Sequence, residues 1–319
     1  MTEQTFEARV HRMEWAAEDI LAVELRRPDG EDMPAFTAGA HIDLHLPNGL
    51  LRNYSLLNDS AETRRYVVAV GLDAASRGGS RHIHNEMRVG QRLRISEPRN
   101  NFPLEESASL VVLIAGGIGV TPLVCMARRL AALGRPYEFH LAARSKARAA
   151  FIDDINALGH PAHVHFDNEH GGAPLAIAPI VAAAPAGAHF YCCGPGPMLA
   201  AFEAAAAGLP EGFAHVEYFQ AKAPAADAPA PGAFKLILAK SGETLDVPAN
   251  KTILETLLEA GFDADYSCQD GVCGTCETKI LAGVADHRDS ILSNGERAAN
   301  KTMMICVSRC VGDSLTLDV

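Results

Sequence analysis

The stretch Cys268-Gln-Asp-Gly-Val-Cys273-Gly-Thr-Cys276 places three thiols in one tight loop, and Cys306 follows 30 residues after the last of them. C-x4-C-x2-C with a distant fourth Cys is the spacing by which thiolates hold a [2Fe–2S] cluster. Four sulfurs must ligate two irons, so a loop wraps the cluster and a remote strand closes it. Gly271 and Gly274 ease the steric limits on a loop that curls its backbone N–H groups toward the sulfurs. Such donors help set the reduction potential. A structural zinc site takes its thiols as paired C-x2-C knuckles, and only Cys273 and Cys276 form such a pair. Cys310, four residues past Cys306, is a fifth thiol able to compete as ligand, although the spacing favours Cys306. The segment reads as a carrier of single electrons.

Around this loop the chain is that of an ordinary globular protein. Its 319 residues are 48% hydrophobic and 21% charged, enough for about two or three domains with buried cores. The formal net charge is −11, and residues 234–319 hold eight Lys/Arg against thirteen Asp/Glu. That balance argues against nucleic acid, which needs a basic footprint. It suits either a protein partner with a basic face or plain solvation. Met1–Val10 lacks the basic and apolar regions of a signal peptide. Eight cysteines with ligand-type spacing then point to a reducing cytoplasm rather than a disulfide framework. Ser109–Ala127 carries no charge and approaches membrane-spanning length. Its Gly116, Gly117, Gly119 and Thr121-Pro122 instead suggest a buried strand, a turn and a packed helix. No membrane contact is expected.

The run 221–232, Ala-Lys-Ala-Pro-Ala-Ala-Asp-Ala-Pro-Ala-Pro-Gly, has almost nothing to bury and reads as a semi-extended spacer between domains. Upstream, the short alternating runs His41–Leu46, Tyr66–Gly71 and Gln91–Ser96 are separated by turn signals such as Pro47-Asn-Gly49. They suggest a small antiparallel barrel. From Leu110 the apolar runs Leu110–Ala115, Tyr137–Ala142, His163–Phe166, Ala188–Cys192 and His215–Tyr218 alternate with Ala-rich helical stretches, which implies a parallel doubly wound sheet. Phe234–Val247 reads as a hairpin and Thr252–Ala260 as a helix.

Four further motifs carry chemistry. Arg52-Asn53-Tyr54-Ser55-Leu56 falls where a barrel strand ends, and Ser76-Arg-Gly78-Gly79-Ser80 leads into a helix expected over His82–Met87. Paired glycines and a serine at a helix start leave N–H groups free for a phosphate, and Arg52 can add a charge-assisted contact. Val111–Pro122 runs as strand, glycine turn and helix, and Cys193-Gly194-Pro195-Gly196-Pro197-Met198 repeats that pattern at the same sheet edge. Glycines there let the backbone approach a pyrophosphate. Cys125 and Cys192 read as small core residues. His82, His84, His163 and His165 form no compact metal-binding set.

The order of these motifs resembles the phthalate dioxygenase reductase family, a branch of the ferredoxin-NADP reductase superfamily, over essentially the whole chain. Its members include reductases serving phthalate, phenoxybenzoate, vanillate and carnitine oxygenases. The resemblance implies three domains: an antiparallel β-barrel flavin domain over 1–104, a doubly wound α/β nucleotide domain over 105–220, and, after the linker 221–232, a β-grasp plant-type ferredoxin domain over 233–319. It implies Arg52 on the phosphate of FMN, Tyr54 against the isoalloxazine and Ser55 near its reactive nitrogen. Asn53, Ala69 and Val70 would lie along the same flavin, with Gly78, Gly79 and Ser80 as its phosphate loop. Gly116, Gly117, Gly119, Thr121 and Pro122, with Cys193, Gly194, Pro195 and Met198, match the NADH elements, and Cys193 would stand close to the nicotinamide. Phe219, in Glu217-Tyr-Phe219, would lie over the flavin where nicotinamide enters. Ser55, Cys193 and Phe219 are thus the expected catalytic residues, and Cys268, Cys273, Cys276 and Cys306 the metal ligands.

One phosphate loop on the barrel and no evident adenine platform favour FMN over FAD. Arg144-Ser145 follows the second strand of the nucleotide domain, where a 2′-phosphate could be read, but the family preference implies NADH. The expected activity is the reductase component of a multicomponent Rieske non-haem iron oxygenase. It would pass electrons from NADH through FMN and the cluster to the oxygenase. Two other readings stay open: an iron–sulfur redox sensor or carrier, and a reductase for another acceptor such as a di-iron monooxygenase. Relatives of the latter kind usually carry the ferredoxin domain first and use FAD.

Overall fold

The computed structural model describes residues 4–74, 76–220 and 232–319. Most of the expected linker, residues 221–231, lies outside them. The described residues fall into two compact units, Gln4–Glu217 and Tyr218–Val319.

In the first unit, β1 (Thr5–Ala17), β2 (Ile20–Arg26), β3 (His41–His45), β4 (Leu51–Ser55), β5 (Tyr66–Gly71) and β6 (Arg92–Ser96) make a six-stranded sheet. Its order is β4-β3-β6-β1-β2-β5, antiparallel at every pairing. The antiparallel bridge Leu56–Val68 joins the two edges, so the sheet closes into a barrel. Closure removes the free edge that would otherwise invite pairing. Inward-facing Val10, Val23, Leu25, Ile42, Leu44 and Ile95 fill the interior. Helix α1 (Gly79–Asn85) leaves β5 and returns toward β6, starting three residues earlier than the sequence suggests. Gly78, in a left-handed conformation with φ 102°, turns the chain into it.

The same unit continues with β7 (Val111–Gly116), α2 (Val120–Ala132), β8 (Tyr137–Ala143), α3 (Ile152–Asn156), β9 (His163–Phe166), α4 (Ile177–Ala183), β10 (His189–Cys193), α5 (Gly196–Ala206) and β11 (Ala214–Glu217). These strands form a parallel sheet of order β11-β10-β7-β8-β9. Every residue of β7 is buried, as a strand covered on both faces requires. The order reverses between β7 and β10, and this switch point is where open α/β sheets bind ligands. A backbone bond from Glu18 to the Ala147 carbonyl, 2.8 Å, joins barrel and α/β layer, and Arg148 pairs with Glu18 and Asp19 beside it.

The second unit holds β12 (Phe234–Leu238), β13 (Thr244–Val247), α6 (Ile253–Glu259), β14 (Glu277–Asp286), α7 (Asn294–Ala299), β15 (Thr302–Met304) and β16 (Arg309–Leu317). Its mixed sheet has the order β13-β12-β16-β14-β15, with β12 and β16 parallel at its centre. The hairpin expected over Phe234–Val247 is β12 paired to β13. Thr252 caps α6 in a reciprocal box with Glu255. Ile253, Leu254 and Leu257 of that helix pack with Leu236, Leu315 and Met304. One helix laid across such a sheet is the β-grasp arrangement.

Candidate functional site: a redox crevice and a four-sulfur cage

The crevice forms where β4, β10 and β11 end. Ser55 closes β4, Cys193 closes β10, and Glu217 closes β11. The Ser55 hydroxyl donates to Glu217 Oε2 at 3.4 Å, and Cys193 Sγ stands 4.0 Å from the same oxygen. Residues 162 positions apart, from barrel and α/β layer, thus meet at one point. Loss of water around its carboxyl pushes Glu217 up from the usual carboxylate range to about 8. The Cys193 thiol is driven up by burial, with Glu217 adding to the effect, so it stays neutral. Below pH 8 the crevice therefore offers three uncharged hydrogen-bonding groups. Glu217 is the residue of this meeting point that sequence reasoning does not single out, since Glu217-Tyr-Phe219 is read there for its phenylalanine alone.

Two glycine turns build the crevice wall. A Cβ at Gly119 would collide with the Cys193 carbonyl and stand 2.7 Å from the Gly194 nitrogen. One at Gly116 would lie 2.6 Å from Met198 Sδ and 2.7 Å from Pro195 Cδ. The expected nucleotide residues of the two motifs are therefore in van der Waals contact, and only glycine permits it. Thr121 turns its hydroxyl back to the Ile118 carbonyl at 3.1 Å, and Pro122 lies buried in the first turn of α2. Gly117 holds the turn at φ 54°.

On the barrel, Arg52 crosses from β4 to the first residue of α1. A Cβ at Gly79 would lie 2.8 Å from both Cγ and Nε of Arg52. The two elements assigned to one phosphate are thus neighbours in space. The Ser76 hydroxyl accepts from the Gly78 N–H at 3.2 Å and the Arg81 N–H at 3.4 Å, and pairs with the Ser80 hydroxyl at 2.9 Å. Donors that converge on one oxygen make a nest suited to an anion. Ser80 Oγ also accepts from the Asp73 N–H at 3.3 Å. Asn53 donates its amide to buried Asp43, which also binds Arg99 at 2.7 Å. Ala69 and Val70 are buried in β5, and the Val70 carbonyl lies 2.8 Å from His84 Nε2. Tyr54 packs against the barrel core, and burial pushes its phenol up. Phe219, in the other unit, is 38% exposed. Cys125 and Cys192 are fully buried, and burial raises both thiols to about 12, as expected of core residues.

In the second unit the four expected ligands converge. The Cys268 sulfur is in hydrogen-bonding contact with Cys273 and Cys306, and Cys306 also contacts Cys276. Contact between the sulfurs couples the four thiols, lowering Cys268 and Cys276 while raising Cys273 and Cys306. The Asp270 N–H donates to Cys268 Sγ at 3.3 Å, and the Thr275 hydroxyl lies 3.3 Å from Cys273 Sγ. Gln269, Gly271 and Gly274 all hold positive φ, which curls the loop around the sulfurs. Among the described residues no three His, Cys, Asp or Glu side chains close on a single ion. A binuclear cluster takes two thiolates on each of two irons, the number these four cysteines supply. The donor set therefore fits a binuclear cluster. Cys310 lies on β16 with its sulfur donating to the Ser314 carbonyl at 3.2 Å, outside the four-sulfur group.

A profile of the 2Fe–2S iron–sulfur cluster binding domain matches residues 236–311. The chain is 51% identical to phenoxybenzoate dioxygenase subunit beta of Ectopseudomonas oleovorans, over 98% of this chain and 96% of that protein. It superposes on phthalate dioxygenase reductase, described as a modular structure for electron transfer from pyridine nucleotides to [2Fe–2S], with TM-score 0.73 and 35% identity, covering 99% of this chain and 98% of that one. A type IV self-sufficient cytochrome P450 monooxygenase contains the same fold at TM-score 0.90 and 40% identity. The match covers 99% of this chain and 41% of that longer protein. The fold and the site define an electron-transferring oxidoreductase with a C-terminal [2Fe–2S] domain. The chain belongs to the phthalate dioxygenase reductase family. Among the described residues no helix is long and apolar enough to cross a membrane.

The raised Glu217 has a measurable consequence for stability. An unfolded glutamate ionises near its ordinary value of 4.5, whereas the native group keeps its proton to about 8. Between those values the native state binds the extra proton, so stability falls as pH rises through that window. Glu217→Gln is neutral throughout. Its melting temperature is expected to rise relative to the native protein between about pH 5 and about pH 8. A difference that stays constant across this range would show that Glu217 is ionised in the fold.

Proposed function

We propose that this chain takes electrons from NADH and passes them through FMN and a [2Fe–2S] cluster to the Rieske-type component of a multicomponent oxygenase. Residues 1–104 hold the flavin, 105–220 the nucleotide and 233–319 the cluster. The meeting of Ser55, Cys193 and Glu217 carries this reading, because it joins the end of a barrel strand to the switch point of a nucleotide-type sheet.

When bound, the flavin converts a two-electron hydride into single electrons, and the cluster carries those one at a time. The chain's own residues bind and orient. Arg52 and the loop Gly78–Ser80 would hold the FMN phosphate, and Tyr54, Asn53, Ala69 and Val70 would contact the rest of the flavin. Gly116–Pro122 and Cys193–Met198 would admit the dinucleotide close to the backbone, and Phe219 would be the aromatic residue that gives way to nicotinamide. Ser55 keeps its hydroxyl bonded to Glu217 and so directed across the crevice, which orients the reacting faces. Cys193, whose thiol burial keeps uncharged, would stand beside the nicotinamide. Cys268, Cys273, Cys276 and Cys306 ligate the cluster.

Two considerations support a Rieske acceptor. Relatives at 51%, 42% and 38% identity are named as a dioxygenase subunit and as reductase subunits of monooxygenases. A Rieske centre at roughly −150 to +300 mV also lies downhill of a plant-type cluster near −400 mV. The P450 fusion favours a second acceptor class, a haem monooxygenase. Acid release of the cofactor is expected to yield FMN, and anaerobic NADH should bleach both flavin and cluster absorbance. Recovery of FAD would overturn the flavin assignment. Transfer to a purified Rieske oxygenase and to a bacterial P450, followed by the spectrum of each acceptor, separates the two readings; faster reduction of the haem would overturn the Rieske one.

A further inference from the structure

Behind the cluster loop lies a buried carboxylate that none of the steps above uses. Asp289 is 2% exposed. Its Oδ2 accepts the N–H groups of Ile291 at 3.1 Å and Leu292 at 2.8 Å, and the Ser308 hydroxyl reaches Oδ1 at 3.5 Å. Arg297 stands 3.7 Å from Oδ2 and donates to the carbonyls of Asp289 at 2.5 Å and Leu292 at 3.0 Å. His287 Nδ1 is 3.8 Å from Oδ1.

The position of this network matters more than its size. Ser290, the next residue, donates its N–H to the Gly271 carbonyl at 2.8 Å, inside the loop that carries Cys268, Cys273 and Cys276. Ser308 lies two residues beyond Cys306, and its hydroxyl also accepts the Arg288 N–H at 3.1 Å. Asp289 is therefore joined by its side chain to the segment of Cys306 and, through the backbone of the next residue, to the three-cysteine loop. Their packing leaves no slack: a Cβ at Gly271 would stand 2.6 Å from Val307 Cγ2 and 3.1 Å from Asp289 Cα. A buried charge held by several donors is costly to leave half-paired, so the network has one low-energy geometry.

We propose that Asp289, with Arg297, is a positioning pair that fixes the three-cysteine loop against Cys306 and sets the electrostatic field at the cluster. The proposal rests on the four-cysteine reading above. Ligand orientation and hydrogen bonding outside the ligand sphere are the levers by which a protein tunes a metal centre. Reduction adds negative charge to the cluster, so removing the Asp289 charge favours the reduced form and removing the Arg297 charge opposes it.

The test compares holoprotein carrying Asp289→Asn, Arg297→Gln or Ser308→Ala with the native chain. Cluster bleaching in excess iron chelator is followed by absorbance, and the midpoint potential by redox titration of the reduced-cluster EPR signal. Asp289→Asn is expected to bleach about 10–100-fold faster, the usual effect of losing an outer partner, and to shift the potential positive. Arg297→Gln should shift it negative, and Ser308→Ala should speed bleaching while leaving the potential near native. Flavin reduction by NADH should stay native in all three. Native bleaching rates, or potentials that move in the same direction for Asp289→Asn and Arg297→Gln, would overturn the proposal. If Asp289→Asn does not fold, a native potential in Arg297→Gln overturns it alone. A native protein without an iron–sulfur spectrum would instead overturn the cluster reading itself.

Discussion

Cys273→Ala is expected to lose reduction of the oxygenase and of one-electron protein acceptors entirely, while NADH-to-dye activity at the flavin continues. Cys273 is 3% exposed, within the four-sulfur group. Removing its sulfur leaves one iron with a single thiolate. The lesion should stay local for a structural reason. The second unit has its own core, built on Leu236, Leu257, Met304 and Leu317, whereas Val111, Leu113, Leu123 and Tyr191 belong to a different one. Loss of the cluster therefore removes stabilisation from Tyr218–Val319 and leaves Gln4–Glu217 folded. Cytochrome c reduction and ferricyanide reduction, measured side by side on flavin-loaded protein, give the answer. Loss of both activities would mean that electrons reach dyes through the cluster and that the roles are not separable.

The parts of the fold that were legible are those where one physical constraint acts alone. Val111–Gly116 is buried on both faces and so reads as an unbroken apolar run. Thr252 and Glu255 announce the start of α6 because a capping box is local. The strands that went unread break the rule of alternation. β1 carries register shifts at Val10/Arg12 and Trp15/Ala17, so its inward face changes along its length. In β14 only Ile280 and Ala285 are buried, and two shifts interrupt its pairing with β16. Sequence patterning offers no signal for such strands.

The same division runs through the site. Four cysteines at diagnostic spacing were visible because iron–sulfur chemistry dictates both residue type and interval. Glycine turns were visible as turns, but the reason for Gly119 was not. Its φ of −62° suits any residue, and what excludes a side chain is the Cys193 carbonyl, 74 positions later in the chain. Glu217 was hidden in a similar way. A glutamate at a strand end is ordinary until its neighbours are known, and Ser55 becomes its partner only when the barrel is set against the sheet. Sequence shows the residues that chemistry selects; the environment that shifts a proton affinity emerges from tertiary contact.

Gly119→Ala should therefore slow reduction of the flavin by NADH about 100-fold, the usual penalty for misplacing reacting groups by about 1 Å. The added Cβ cannot coexist with the Cys193 carbonyl, and the Gly194 nitrogen 2.7 Å away blocks relaxation in that direction. The turns after β7 and β10 must separate, which carries Cys193 away from Glu217 and from Ser55. Strand β7 lies in the centre of its sheet, so the fold absorbs the change at the crevice rather than in the core. Cofactor content should remain native, because neither the phosphate loop nor the cysteine cage involves this turn. Stopped-flow mixing with NADH measures the first half of the pathway, and photoreduction of the flavin bypasses it. The variant should be slow in the former and native in subsequent electron transfer to the cluster. A native rate with NADH would show that the close approach of the two glycine turns serves packing alone, and that the nicotinamide enters elsewhere.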